Sequence, residues 1–250
     1  MKLRAVLFDL DGTIRHNQPH EVDTFHRWAA ELGVPVSPER SLAAGRWLHA
    51  YLAQSDELLD DDRAVGGQRN GAFWRRQARR HLEILGARPD DAEVLSEAIT
   101  ARFEAEYRPQ DVVPPDVAPS LNRLRGTGYR LGLVSNRREP LDGLLAELGL
   151  GDAFDFAVAA GEVGWWKPDR RLFVYAAERA GVRPEQAAYV GDNLFADIQG
   201  ARGAGLHPLL LDPAGLFPEA DCPVVRSVAE VPPALARLER AFSNRRPAVR

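Results

Sequence analysis

Two carboxylates, Asp9 and Asp11, stand one residue apart in the hexapeptide Phe8-Asp9-Leu10-Asp11-Gly12-Thr13, directly behind the apolar run Ala5-Val6-Leu7. In an extended segment successive side chains alternate faces, so Asp9 and Asp11 leave one face and Leu10 the other. Like charges gathered at the edge of an apolar core are costly unless a cation or a shared proton relieves them. A hard, oxygen-seeking ion such as Mg2+ suits this ligand set. Gly12 permits a sharp turn just past the second carboxylate, and Thr13 adds a hydroxyl and a backbone N–H to the same loop. An Asp-x-Asp-Gly that only ends a strand and opens a turn would read the same way, so the rest of the chain has to decide.

The pair needs a buried strand to deliver it, and residues 3 to 8 supply one. Four more β-rich runs, at 129 to 134, 155 to 159, 187 to 190 and 207 to 211, alternate with helical patterns near 115 to 126, 140 to 148, 169 to 181 and 194 to 204. That alternation is the signature of βαβ units around a parallel sheet. The expected fold is α/β, a three-layer Rossmann-like core with a central parallel sheet. Ligands of such sheets bind beyond the carboxyl ends of the strands, and polar residues stand there. Ser135 and Asn136 follow the second strand, Lys167-Pro168 follows the third across a loop, and Gly191-Asp192-Asn193 follows the fourth, with Asp197 five residues past Asp192. Each alone has a plain structural use as a helix N-cap, a helix start or a first-turn acid.

The ordered set Asp-x-Asp-Gly-Thr, Ser-Asn, Lys-Pro and Gly-Asp-x4-Asp resembles the four motifs of the haloacid dehalogenase-like (HAD) hydrolase superfamily. Between the first strand and the second motif the texture is all-helical, with expected helices at Val22 to Leu32, Leu42 to Leu52, Ala72 to Leu85 and Asp91 to Tyr107. Turns are expected at 35 to 38, 60 to 67 and 86 to 89. This insert resembles in position the helical C1 cap of the phosphoglycolate-phosphatase-like and haloacid-dehalogenase-like subgroup. The implied organisation is a catalytic core of residues 1–15 and 112–250 and a cap of residues 16–111. The crossings near 15 to 20 and 108 to 115 are expected hinges for cap closure.

The resemblance implies a Mg2+-dependent phosphatase acting on a small phosphorylated metabolite. Asp9 would be the nucleophile that forms an aspartyl-phosphate. Asp11 would protonate the leaving alkoxide and later activate water, while its backbone carbonyl helps hold Mg2+. Asp9 and Asp192 would be the carboxylate ligands of the metal, with Asp197 supporting them. Ser135 and the backbone N–H of Asn136 would bind phosphoryl oxygens, and Lys167 would offset charge on Asp9 and phosphate. True haloacid dehalogenases lack the second Asp of the first motif, so Asp11 favours phosphoryl chemistry. A phosphosugar mutase and a non-catalytic binding protein on the same scaffold are the alternatives. Arg15, His16 and Asn17, where this chain departs from the subgroup's usual residues, are either a polar hinge or substrate contacts.

With 250 residues, 45% hydrophobic content and a net charge of −4, the chain has ample core material and no general nucleic-acid footprint. Arg63, Arg69, Arg75, Arg76, Arg79 and Arg80 cluster in one segment, read chiefly as a solvated helix face and alternatively as a basic lining for an anionic substrate. Phe25, Trp28, Trp47, Tyr51, Phe73, Trp74, Phe103 and Tyr107 are the expected core of the insert. No apolar run reaches membrane-spanning length, and Met1-Lys2-Leu3-Arg4 leads straight into a strand, so no membrane partner and a cytoplasmic location are expected. The lone Cys222 leaves no intrachain disulfide, and Ser243 to Arg250 reads as a frayed tail.

Overall fold

The computed structural model describes residues 2–244. The chain enters on strand β1 (Ala5–Phe8) and passes through the short strand β2 (His16–Gln18). It then forms five helices: α1 (Glu21–Glu31), α2 (Pro38–Leu52), α3 (Asp56–Ala64), α4 (Gly71–Leu85) and α5 (Pro89–Glu106). It returns through β3 (Gln110–Val112), which forms a separate two-stranded sheet with β2. The remainder alternates α6 (Val117–Gly126), β4 (Arg130–Ser135), α7 (Asp142–Glu147), β5 (Phe156–Ala159), α8 (Ala160–Val163), α9 (Arg170–Arg179) and β6 (Ala187–Gly191). A π-helical turn (Leu194–Gln199), α10 (Gly200–Gly203), β7 (His207–Leu211), β8 (Val224–Val225) and α11 (Val231–Asn244) complete the chain. Two compact units result, residues 1–16 with 112–250 and residues 17–111.

In the first unit the six-stranded sheet has the order β5-β4-β1-β6-β7-β8, and every strand pair within it is parallel. This is the doubly wound order in which the chain grows outward on one side of β1 and then restarts on the other. All four residues of β1 are buried, as expected for a parallel strand covered on both faces. Val6, Phe8 and Leu10 pack with α6, α7 and α11 through Leu121, Leu145 and Leu235. Ala5 and Leu7 face the opposite layer, with Leu172, Phe173 and Ala176 of α9 and Ala201 of α10. The expected three-layer α/β core is therefore present. The sixth strand, Val224–Val225, was not anticipated, because two residues carry no periodicity. Likewise the helix expected over 194 to 204 begins as a π-turn, and Ser243 and Asn244 belong to α11. Residues 245–250 of the expected tail lie outside the described residues.

The second unit contains five helices where the sequence suggested four. Helix α2 starts at Pro38 inside the expected turn, since Pro suits the first helical position and Ser37 accepts a bond from the Arg40 N–H. Helix α3 occupies the acidic stretch expected to turn, capped by Ser55, which accepts from the Leu58 N–H at 3.1 Å. Asp61, on α3, is fully buried. Arg76 and Arg80 of α4 each donate to it at 2.9 Å, and the Tyr51 hydroxyl donates at 3.1 Å. Arg63 and Arg69 pair with Asp60 and Asp62, and Arg79 with Glu83 and Glu93. Most of the arginine cluster thus ties the bundle together through its own acids. Phe25, Trp28, Tyr51 and Phe73 are buried as expected, whereas Trp74 is 45% exposed. Among the described residues no helix is long and apolar enough to cross a membrane.

Candidate active site

Parallel register sets the stage. Phe8 lies opposite Leu133 of β4 and Val190 of β6, so the residues after Phe8, Ser135 and Gly191 emerge side by side at the carboxyl edge. The order reversal between β1 and β6 opens the crevice where doubly wound folds place ligands. Asp9 continues the β1 line, its N–H donating to Val190 O at 2.8 Å. The turn beyond it is tight: Gly12 has φ +86°, and a Cβ there would lie 2.4 Å from an Asp192 carboxylate oxygen. Glycine at this position lets the first loop approach Asp192 closely.

Lys167 links the acidic residues. Its Nζ donates to Asp9 Oδ1 at 2.5 Å, Asp197 Oδ1 at 2.7 Å and the Tyr189 hydroxyl at 3.2 Å. Asp9, Lys167 and Asp197 are only 5%, 3% and 1% exposed. Asp197 is fixed from its other oxygen as well, which accepts from the Asn193 N–H at 3.0 Å. The Lys167 loop is itself held by a reciprocal amide pair. The Asn136 side chain accepts from the Lys167 N–H at 2.7 Å and donates to Lys167 O at 3.1 Å. Ser135 is buried at the last position of β4, and the Thr13 hydroxyl reaches Asp192 Oδ1 at 3.5 Å.

Charge is unevenly shared in this crevice. Asp9, Asp192 and Asp197 each bring a carboxylate oxygen within 4.8 Å of the others, against the single ammonium of Lys167. Burial, with the neighbouring Asp197 and Asp11 charges, raises Asp9 to about 7 in spite of Lys167. Burial, then Asp9 and Asp197, lifts Asp192 well above the carboxylate range. Lys167 remains firmly protonated, because Asp197 and Asp9 outweigh the burial that would discharge it. Two carboxylates with raised affinity for protons mark a site short of positive charge, and oxygen donors alone match a hard divalent cation. Asp197 already spends both oxygens on Lys167 and Asn193, so Asp9 and Asp192 are the carboxylates best placed to ligate.

Asp11 is engaged differently from Asp9. Arg137 donates Nε to Oδ2 and Nη2 to Oδ1, both at 2.8 Å, and Arg15 Nη1 donates to Oδ1 at 2.9 Å. Burial would raise Asp11, but hydrogen bonds and charge from Arg137, then Arg15, hold it below the usual range. The structure thus gathers Asp9, Lys167, Asp192 and Asp197 in one cluster and turns the Asp11 carboxylate to two arginines. Sequence reasoning passed over Arg137 and Tyr189. The available signals were an arginine directly after Ser-Asn at a strand end, and a phenol inside the apolar strand Ala187-Ala188-Tyr189-Val190, which requires a polar partner when buried.

This chain belongs to the haloacid dehalogenase-like hydrolases: the family model of that description matches residues 3–205. It is 40% identical to haloacid dehalogenase-like hydrolase domain-containing protein 3 of Homo sapiens over 96% of each chain. It is also 40% identical to phosphoserine phosphatase of Thermus thermophilus, over 60% of this chain and 58% of that one. Among solved structures, a 2-haloacid dehalogenase from Pseudomonas syringae pv. Tomato DC3000 matches with a TM-score of 0.53 and 30% identity, covering 94% of this chain and 99% of that one.

Proposed function

We propose that this protein is a Mg2+-dependent phosphatase that hydrolyses a small phosphorylated metabolite through an aspartyl-phosphate on Asp9, with residues 17–111 serving as its cap. The observation that carries this reading is the buried Asp9–Lys167–Asp197 cluster beside Asp192, a carboxylate held by an ammonium in a crevice that still lacks positive charge. The relative named a phosphoserine phosphatase supports the reaction class. The dehalogenase likeness is outweighed by Asp11, since displacing halide from carbon needs no acid for the leaving group.

Asp9 and Asp192 would hold Mg2+, with the Asp11 backbone carbonyl as the further ligand that the family resemblance implies. The bound ion would supply Lewis-acid polarisation of a phosphoryl oxygen. Asp9 Oδ attacks phosphorus as the bond to the ester oxygen breaks, and the departing alkoxide takes its proton from Asp11. Asp11, ionised again, then removes a proton from the water that attacks phosphorus and frees Asp9. The arginine-paired, ionised Asp11 in the structure is the form this second half-reaction uses. Lys167 keeps Asp9 oriented and offsets phosphoryl charge, while the Ser135 hydroxyl and the Asn136 N–H bind phosphoryl oxygens.

Phosphate release from a panel of sugar phosphates, nucleotides, phospho-acids and an aryl phosphate tests the proposal. Release with Mg2+, its loss with EDTA, and a fall of roughly 10^3-fold or more in Asp9→Asn are expected. Equal rates in the variant, or isomerised phosphosugar with no free phosphate, would contradict it.

A further inference from the structure

The helical unit holds a cavity of about 400 Å3 that the phosphatase reading does not use. Every residue of its lining lies within residues 17–111, and its size falls in the range of small-molecule sites. The wall is apolar, formed by Phe25 of α1, Leu48 of α2, Ala78 of α4, and Ile99 and Phe103 of α5. Trp74 also lines it and is 45% exposed, so an indole beside an apolar cavity is left to water, surface that a ligand would cover. Charge narrows the class of that ligand. The first turns of α1 and α4 and the last turns of α2 and α5 meet at this cavity, so two positive and two negative helix ends offset one another. Side chains then set the sign. Glu21 and Glu104 line the cavity and no Lys or Arg does. Neither glutamate forms an ion pair among the described residues. The neighbouring Arg108 directs its guanidinium to the main-chain carbonyls of Tyr107 and Glu104, at 2.9 and 3.1 Å. His81, the one histidine of the lining, is held neutral near pH 7 by burial. A phosphate ester would meet two carboxylates here and no cation to receive it.

We infer that this cavity is a binding site for a small hydrophobic amine, whose apolar body lies among Phe25, Leu48, Ile99 and Phe103 and whose ammonium sits beside Trp74, Glu21 and Glu104. The apolar walls take the body out of water. An aromatic ring adds a direct attraction for the cation through its quadrupole, and the two glutamates favour an ammonium over a neutral or anionic group in the same place. The inference is independent of the phosphatase reading.

Calorimetry on the full chain with 2-(1-naphthyl)ethylamine, 2-(1-naphthyl)ethanol and 1-naphthylacetate tests it, since the three probes share a ring and differ in charge. The amine should bind roughly 5- to 30-fold more tightly than the alcohol, the range for a cation–π contact, and the carboxylate should bind more weakly than either. Glu21→Gln combined with Glu104→Gln should lower the amine-to-alcohol ratio by about threefold or more and leave the alcohol nearly unaffected. Ala78→Phe, which fills the cavity, should abolish binding of all three probes. Gln77→Trp, at a partly exposed position of the same lining, is the second filler, which decides the matter should the first fail to fold. Equal binding of amine and alcohol, a preference for the carboxylate, an unchanged ratio in the double glutamine variant, or no binding of any probe to the wild type would overturn the inference. So would amine binding that persists in a folded filler variant, because the ammonium would then be held by other carboxylates, such as those around Asp9.

Discussion

Lys167 lies between Asp9 and Asp197 with almost no contact with water. Removing one partner of a buried ion pair leaves the other charge uncompensated, which costs about 3–5 kcal/mol. Lys167→Met should therefore lower the unfolding free energy by about that amount, less whatever Asp9 recovers by taking up a proton, and abolish turnover. Denaturant unfolding measures it, and a variant as stable as wild type would show that the ammonium is dispensable to the fold. At this scale the sequence was most legible where residue type and strand end coincide: Asp9, Lys167, Asp192 and Asp197 fall in one cluster. The pairing of Asp11 with Arg137 was not legible. Arg137 lies 126 residues away, and its place directly after Ser135-Asn136 at a strand end marks the residue without naming its partner, which the register of β1 against β4 brings near. Asn136 shows the same limit, since its side chain binds the Lys167 backbone 31 residues on.

The elements of the helical unit carry a titratable device of their own. His81 on α4 stacks on Phe25 of α1, with centroids 4.2 Å apart and an interplanar angle of 9°, and its Nε2 lies 3.0 Å from His26 Nε2. Burial, then the neighbouring His26, pushes His81 down from 6.5 to about 3. Above pH 6.5 both folded and unfolded chains hold a neutral ring, and the histidine has no effect on stability. Below it the unfolded chain binds a proton that the folded one refuses, and stability falls by about 1.4 kcal/mol per pH unit down to about pH 3. Between pH 7 and pH 5, the protection factors of amides in α1 and α4, which correct for the slower intrinsic exchange at lower pH, should fall in the wild type and less so in His81→Phe, which keeps the stack. An equal fall in both proteins would rule the device out. Element boundaries were readable where caps are local, but α3 was missed because its stretch Asp60-Asp61-Asp62 imitates a turn. The Arg76 and Arg80 side chains, 15 and 19 residues further on, together with the Tyr51 hydroxyl, make it possible to bury Asp61 in a helix.

At the scale of the whole molecule, a parallel doubly wound sheet converts an ordered string of motifs into one site. Because β1, β4 and β6 are parallel neighbours, whatever follows each of them meets at the same edge. This is why four short motifs spread between residues 9 and 197 predict their own convergence, while the short sixth strand, which contributes nothing to that edge, left no signal. In the proposed mechanism the strand ends would act in sequence on a single phosphorus atom, with Asp9 carrying the phosphoryl group between two half-reactions. The central claim is that this covalent intermediate exists. Its most direct measurement is acid-quenching of the protein during turnover of its best phosphoester with Mg2+, borohydride reduction, and peptide mass spectrometry, because an acyl phosphate on an aspartate is reduced to homoserine. Homoserine at position 9, absent without Mg2+ and in Asp9→Asn, is the predicted result. Unmodified Asp9 under turnover, or the modification on any other carboxylate, would contradict the account.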